Sequence, residues 1–170
     1  GSNRHPVLNH LYIHLMEMSP YPEVALTAAD NLRSLSPDGS HLAHMSTHID
    51  NACGDWRRVV YSNLDAARAD DKYFAKERNP DAWYVAYRAH NLIVGAYGAM
   101  MAGKSREALD MAHRINKILT PEVLSISSPP MANLCESYCT TLPHVMIRFG
   151  LWEEILELEL PEDKELYSST

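Results

Sequence analysis

Four short segments decide how this chain is read: Pro20-Tyr-Pro-Glu-Val-Ala-Leu26, Gly54-Asp-Trp-Arg-Arg-Val-Val60, Gly103-Lys-Ser-Arg-Glu-Ala-Leu109 and Gly150-Leu-Trp-Glu-Glu-Ile-Leu156. Each opens on a turn residue that ends one helix, then runs through a small or aromatic residue, charged residues and aliphatics that start the next. Pro20 and Gly54 are 34 residues apart, the period of a tetratricopeptide repeat, whereas Gly54 to Gly103 is 49 and Gly103 to Gly150 is 47. The later repeats therefore carry insertions, which fall in the charged stretch from Asp70 to Pro80 and the Pro- and Ser-rich stretch from Thr120 to Pro130.

Pro6, Pro22, Pro80 and Pro121 stand at or near the start of apolar-periodic runs, where a missing N–H is tolerated. With strand signals almost absent, the spacing predicts helices over 6–18, 22–35, 41–53, 55–76, 81–102, 104–118, 130–149 and 151–159. The expected fold is all-α: a right-handed α-solenoid of about four antiparallel, tetratricopeptide-like helix pairs forming one domain over residues 1–170. Its expected core includes Tyr12, Leu15, Leu26, Ala29, Leu32, Val59, Val60, Leu64, Leu92, Ile93, Tyr97, Leu109, Ala112 and Ile115. Such a stack is stabilised mainly by contacts between neighbouring repeats.

Composition narrows the functional classes. Of 170 residues 46% are hydrophobic and 22% charged, the balance of a folded chain. The net charge of −7, with acids crowded from Glu153 to Glu165, offers no basic stripe for a run of phosphates, so nucleic acid is not an expected partner. The most apolar stretch, Asn91 to Ala102, is too short to cross a bilayer. Cys53, Cys135 and Cys139 form no disulfide framework and suit reduced thiols in a cytoplasmic protein.

Histidine carries the chemistry. Among nine histidines, His10 and His14 are one turn apart in the first predicted helix, and His44 and His48 one turn apart in the third. His10 to His44 and His14 to His48 are both 34 residues, so the pairs occupy equivalent places in adjacent repeats. Counted back from the repeat-closing residue, His144 matches His14 and His48, and Tyr97 takes that place in the third repeat. His90, beside Asn91, is also on a first helix. Three readings follow: imidazoles satisfied in packing between helices; a divalent transition metal held by His10, His14, His44 and His48, with Glu17 nearby; or a histidine acting as general acid or base. His10-Leu-Tyr-Ile-His14 lacks the Glu that follows the first His in a zincin helix, so a metalloprotease is unsupported. Cys135, Cys139 and His144 form a weaker candidate group, and Asp50 reads either as an orienting partner for His48 or as a solvated acid. No phosphate loop, nucleophile elbow or paired Cys-x-x-Cys framework is present, and no reaction can be read from a motif.

The run His5-Pro-Val-Leu-Asn-His10-Leu-Tyr-Ile-His14-Leu-Met-Glu17-Met-Ser-Pro20, followed by His41-Leu-Ala-His44-Met-Ser-Thr-His48-Ile-Asp50, resembles a mostly bacterial group of tetratricopeptide-repeat proteins whose activity is unsettled. Tyr87-Arg-Ala-His90-Asn91, Ser128-Pro-Pro-Met131 and His144-Val-Met-Ile-Arg148-Phe-Gly150-Leu-Trp152-Glu add to it. The resemblance implies the helical-repeat fold, a His-lined groove, and a chain that is a fragment of, or shorter than, the group's usual architecture.

The leading expectation is a helical repeat scaffold whose concave groove, walled by His10, His14, His44, His48, His90, Asn91 and His144, binds a peptide segment of a partner or a small molecule. Asn9, Tyr84 and Arg88 are candidate clamps. The alternative is a metal-binding protein or metal-dependent enzyme using the four paired histidines. A third reading is a homo-oligomer joined through the end faces of its stack.

Overall fold

The computed structural model describes residues 4–35, 38–77 and 80–159. The acids expected to crowd the end of the chain, Glu162, Asp163 and Glu165, lie outside these residues. The chain is all-α and divides into two compact units, Gly1–Arg78 and Asn79–Thr170.

The first unit holds α1 (Pro6–Glu17), a 3-10 turn (Pro22–Ala25) running into α2 (Leu26–Leu35), α3 (Ser40–Ala52) and α4 (Trp56–Phe74). Each helix packs on its neighbour in sequence, and α1 also packs on α3. Pro6 and Pro22 stand in the first turns of their elements, where no N–H is missed. The turn from α3 to α4 explains the conspicuous Gly54. Its N–H bonds the Asn51 carbonyl at 3.1 Å while the Asp55 N–H bonds the Asp50 carbonyl at 2.8 Å, which requires the residue between to be left-handed, and Gly54 has φ of +77°. Asp55 then caps α4 by accepting the Arg58 N–H at 3.1 Å. Ile13, Ala25, Ala28, Ala29, Leu32, Met45 and Ile49 form one buried cluster, flanked by Met16, Leu26 and Leu42. The alanines let α2 approach closely, and the long side chains of α1 and α3 fill the remaining space.

The second unit holds α5 (Ala82–Met101), α6 (Ser105–Ile118), the short α7 (Pro121–Leu124) and α8 (Met131–Cys135), a 3-10 segment (Glu136–Thr140), α9 (Thr141–Phe149) and α10 (Trp152–Leu156). α5 packs on α6, and both pack on α9. Asp81 caps α5 through the Trp83 N–H at 2.8 Å, and the α5–α6 turn repeats the geometry at Gly103, with φ of +68°.

The first six helices lie within a few residues of their predicted positions. The expected single helix over 130–149 is instead broken into α8, the 3-10 segment and α9. Pro143 supplies the reason: it has no N–H for the carbonyl of residue 139, and its ring crowds that carbonyl, so an α-helix cannot run through and must restart with Pro143 in its first turn. α10 is also shorter than the expected 151–159. Among the expected core residues, Tyr12, Leu15 and Tyr97 are exposed, and Leu26, Leu64, Ile93 and Leu109 are only partly buried. α1 turns Asn9, Ile13 and Met16 toward its unit's core, which puts Leu15 on the far side of the helix. No helix among the described residues is long and apolar enough to cross a membrane.

Candidate metal centre

Positions 10, 14 and 17 of α1 share one helix face, as do positions 41, 44 and 48 of α3. Packing of α1 on α3 brings these faces together, and five imidazoles close a ring. Centroids are 4.9 Å apart for His10–His14, 5.1 Å for His14–His48, 5.0 Å for His48–His44, 5.5 Å for His44–His41 and 5.5 Å for His41–His10.

Two acceptors order this ring. The Glu17 carboxylate receives His14 Nδ1 at 2.7 Å on one oxygen and His48 Nδ1 at 2.6 Å on the other. Asn63 of α4, fully buried, holds His44 through its side-chain oxygen, 2.7 Å from His44 Nδ1. The orientation of that amide is fixed, because its nitrogen donates to the Val59 carbonyl at 2.9 Å. An ionised carboxylate and an amide oxygen accept only, so both Nδ1 atoms carry hydrogen. In neutral rings the Nε2 atoms of His44 and His48 then bear lone pairs, and these atoms face each other at 3.1 Å.

Two lone pairs so close repel, and a cation between them relieves the repulsion. A second proton on either ring is one such cation, although burial lowers the affinity of the His48 imidazole for it, against the pull of Glu17. A metal ion is another. At the usual nitrogen–zinc distance of about 2.0–2.1 Å from each Nε2, a separation of 3.1 Å subtends about 100° at the ion, within the range of ordinary coordination geometry. Histidine ligands characteristically donate their second N–H to a carboxylate or carbonyl oxygen, as both rings do here.

His48 also belongs to a second donor group on its Nδ1 side, where one ligand atom each from His14, Glu17 and His48 lies within 4.8 Å of the others. Burial opposes ionisation of Glu17, but its hydrogen bonds to His14 and His48 and their positive character hold the carboxyl below the ordinary glutamate range. Burial, followed by the neighbouring His14 and His48, lowers His10 below the ordinary imidazole value.

Four sequence-predicted residues, His10, His14, His44 and His48, thus meet in the first unit. His44 is fully buried, His10 and His48 are half-buried and His14 is exposed. The second unit carries the other three: His90, half-buried, and Asn91, fully buried, on α5, and His144, exposed, on α9. His144 and Tyr97 line a cavity of about 330 Å³ with Ile93, Met100, Tyr138 and Thr141. Of the candidate clamps, Asn9 is buried, Arg88 half-buried and Tyr84 exposed.

Asp50 neither orients His48 nor lies in solvent. It is fully buried and forks with Arg33 at 2.6 and 3.2 Å, and Arg33 also donates to Ser46 at 2.8 Å. Cys139 makes a poor thiolate: burial, reinforced by Cys135, pushes its thiol up to about 11. His41 and Asn63 joined the site unannounced. The spacing 41, 44, 48 was a readable signal for the first; the second had only its place as an amide among Val59, Val60, Ala66 and Ala67.

No family model, curated protein or solved structure matches the chain. Fold and site define an all-helical protein with a buried histidine cluster, in which a group of side chains can hold a metal ion.

Proposed function

We propose that this protein binds a divalent transition metal of the imidazole-preferring kind, zinc foremost, through Nε2 of His44 and Nε2 of His48. The carrying observation is the 3.1 Å approach of these two nitrogens while Asn63 and Glu17 hold the opposite nitrogens as donors. Glu17 orients His48, His14 steadies Glu17 from the other side, and Asn63 orients His44. The helical frame is read as tetratricopeptide-like hairpins of a right-handed solenoid; the 34-residue offset and the repeated glycine turns support that reading.

The test is metal content, by mass spectrometry, of protein purified without a metal-affinity tag, followed by zinc titration of chelator-treated protein. Near-stoichiometric metal, lost in His44→Ala and in His48→Ala while circular dichroism stays unchanged, is expected. Glu17→Gln should weaken binding about 10–100-fold without abolishing it. Metal retained in His44→Ala but lost in His14→Ala and Glu17→Ala would move the ion to the Nδ1 side of His48. Metal-free protein indifferent to added zinc would end the proposal.

The second unit favours a second reading, a ligand groove. Its cavity of about 330 Å³ has no acidic, lysine or arginine side chain among its lining residues, and its Tyr97 and Tyr138 rings stand with Ile93 and Met100. A small neutral ligand suits it better than a peptide. Binding of an aromatic probe such as indole, followed by NMR and blocked by Ile93→Trp, tests this reading.

A further inference from the structure

His48 offers a ligand atom on each side of one ring. Its Nε2 faces Nε2 of His44 at 3.1 Å, and its Nδ1 lies 2.6 Å from one oxygen of Glu17, whose other oxygen takes His14 Nδ1 at 2.7 Å. The lone-pair directions of the two ring nitrogens diverge, so an ion on Nε2 leaves the Nδ1 side clear.

That Nδ1 side has the donors of a metal site in its own right. His14 and Glu17 share one face of α1, three residues apart, and α3 brings His48 to them. One ligand atom from each lies within 4.8 Å of the others. Two imidazole nitrogens and a carboxylate oxygen suit zinc or copper(II). Around a tetrahedral ion with bonds of about 2.0–2.1 Å, neighbouring ligand atoms stand about 3.3 Å apart. The two contacts to Glu17 would therefore open by about 0.6–0.7 Å. The His14 side chain is 43% exposed, which gives it room for that movement and leaves a fourth position open to water.

We propose that the site takes two divalent transition-metal ions bridged by His48 as an imidazolate, the first with His44 on Nε2 and the second with His14 and Glu17 on Nδ1. The proposal rests on the metal-binding function above for its first ion. Neutral His14 can move its hydrogen to its own Nε2 and still coordinate through Nδ1. His48 has no such exchange once its Nε2 holds an ion. The Nδ1–metal bond then forms as the Nδ1–H bond breaks, and one proton leaves to solvent for each second ion that enters. The negative charge left on the ring, together with the Glu17 carboxylate, offsets the repulsion between the two ions. The first ion lies against the fully buried His44 and the second against the exposed His14, so filling is sequential and the second ion is the weaker bound.

Titration of chelator-treated protein with copper(II), followed by electron paramagnetic resonance, tests the bridge. The first equivalent should give the signal of an isolated copper ion. The second should reduce that signal, because two copper(II) ions on one imidazolate couple antiferromagnetically. Native mass spectrometry with zinc should find two ions per chain, and one in His14→Ala and in Glu17→Gln; both variants should also lose the copper coupling while circular dichroism stays unchanged. Saturation at one ion, two copper signals that simply add, or coupling that survives both variants would each overturn the bridge and leave the single ion of His44 and His48 standing. A chain that takes up no metal would remove both.

Discussion

His44 and His48 bring their Nε2 atoms to 3.1 Å from one another, and each ring is held in that attitude from behind by an acceptor on a different helix, Asn63 on α4 and Glu17 on α1. A cation between the rings would make this contact favourable, so under the proposed function the acceptors behind them matter to the site as much as the rings do.

Asn63→Ala takes the acceptor from His44 Nδ1 in a fully buried position. A buried donor left without its acceptor costs about 1–3 kcal/mol of stability, and zinc affinity should fall about 10–100-fold. Urea unfolding and zinc titration of the same variant measure the two effects. Unchanged zinc affinity would remove Asn63 from the site.

The metal-free protein should lose stability in acid in two stages. His48 and His10 are held below 6.5, mainly by burial, so the unfolded chain binds more protons than the folded one once the pH drops beneath that value. Their contribution is whole above pH 6.5 and is lost as the pH falls through their folded values. Glu17, held below 4.5, adds a further loss below that pH. Melting temperatures should be level from about pH 8 to 7 and decline beneath. A level profile down to about pH 5 would contradict the assignment.

Gly54→Ala separates conformation from crowding. A Cβ at this position would meet nothing within 4 Å, so the whole cost comes from φ of +77° and should be about 1–2 kcal/mol. Gly54→Asn, which tolerates this conformation, should cost less. Denaturant midpoints at unchanged slope provide the comparison.

Arg33→Met leaves Asp50 ionisable, fully buried and without its forked partner. Breaking a buried pair this way costs about 3–5 kcal/mol; the lower end is expected here because the Arg33 side chain reaches solvent. Adding Asp50→Leu should restore much of the loss, which a double-mutant cycle would show.

Helix positions were largely legible because Pro, Gly and Asp residues at helix ends act locally: Pro6 opens α1 and Gly54 closes α3 whatever packs around them. The encounter of His14 with His48 was legible for another reason, the 34-residue offset that puts them at equivalent places on packed helices. Asn63 was not, since a single amide on an apolar helix has no period and its meaning depends on which ring lies across from it. The break near Pro143 was readable in principle, but the apolar pattern on both sides of the proline suggests one continuous helix. Leu15 misleads for a related reason: periodicity shows that a face is apolar and leaves open which neighbour it meets.

One carboxylate, Glu17, accepts from His14 of its own helix and from His48 two helices further along the chain. It rivets the amino-terminal helix to the third across the intervening hairpin, and under the proposed function an ion held by His48 would tighten that rivet. Metal supply and the lifetime of the folded first unit then become one equilibrium. Bound zinc should then slow proteolysis of the first unit.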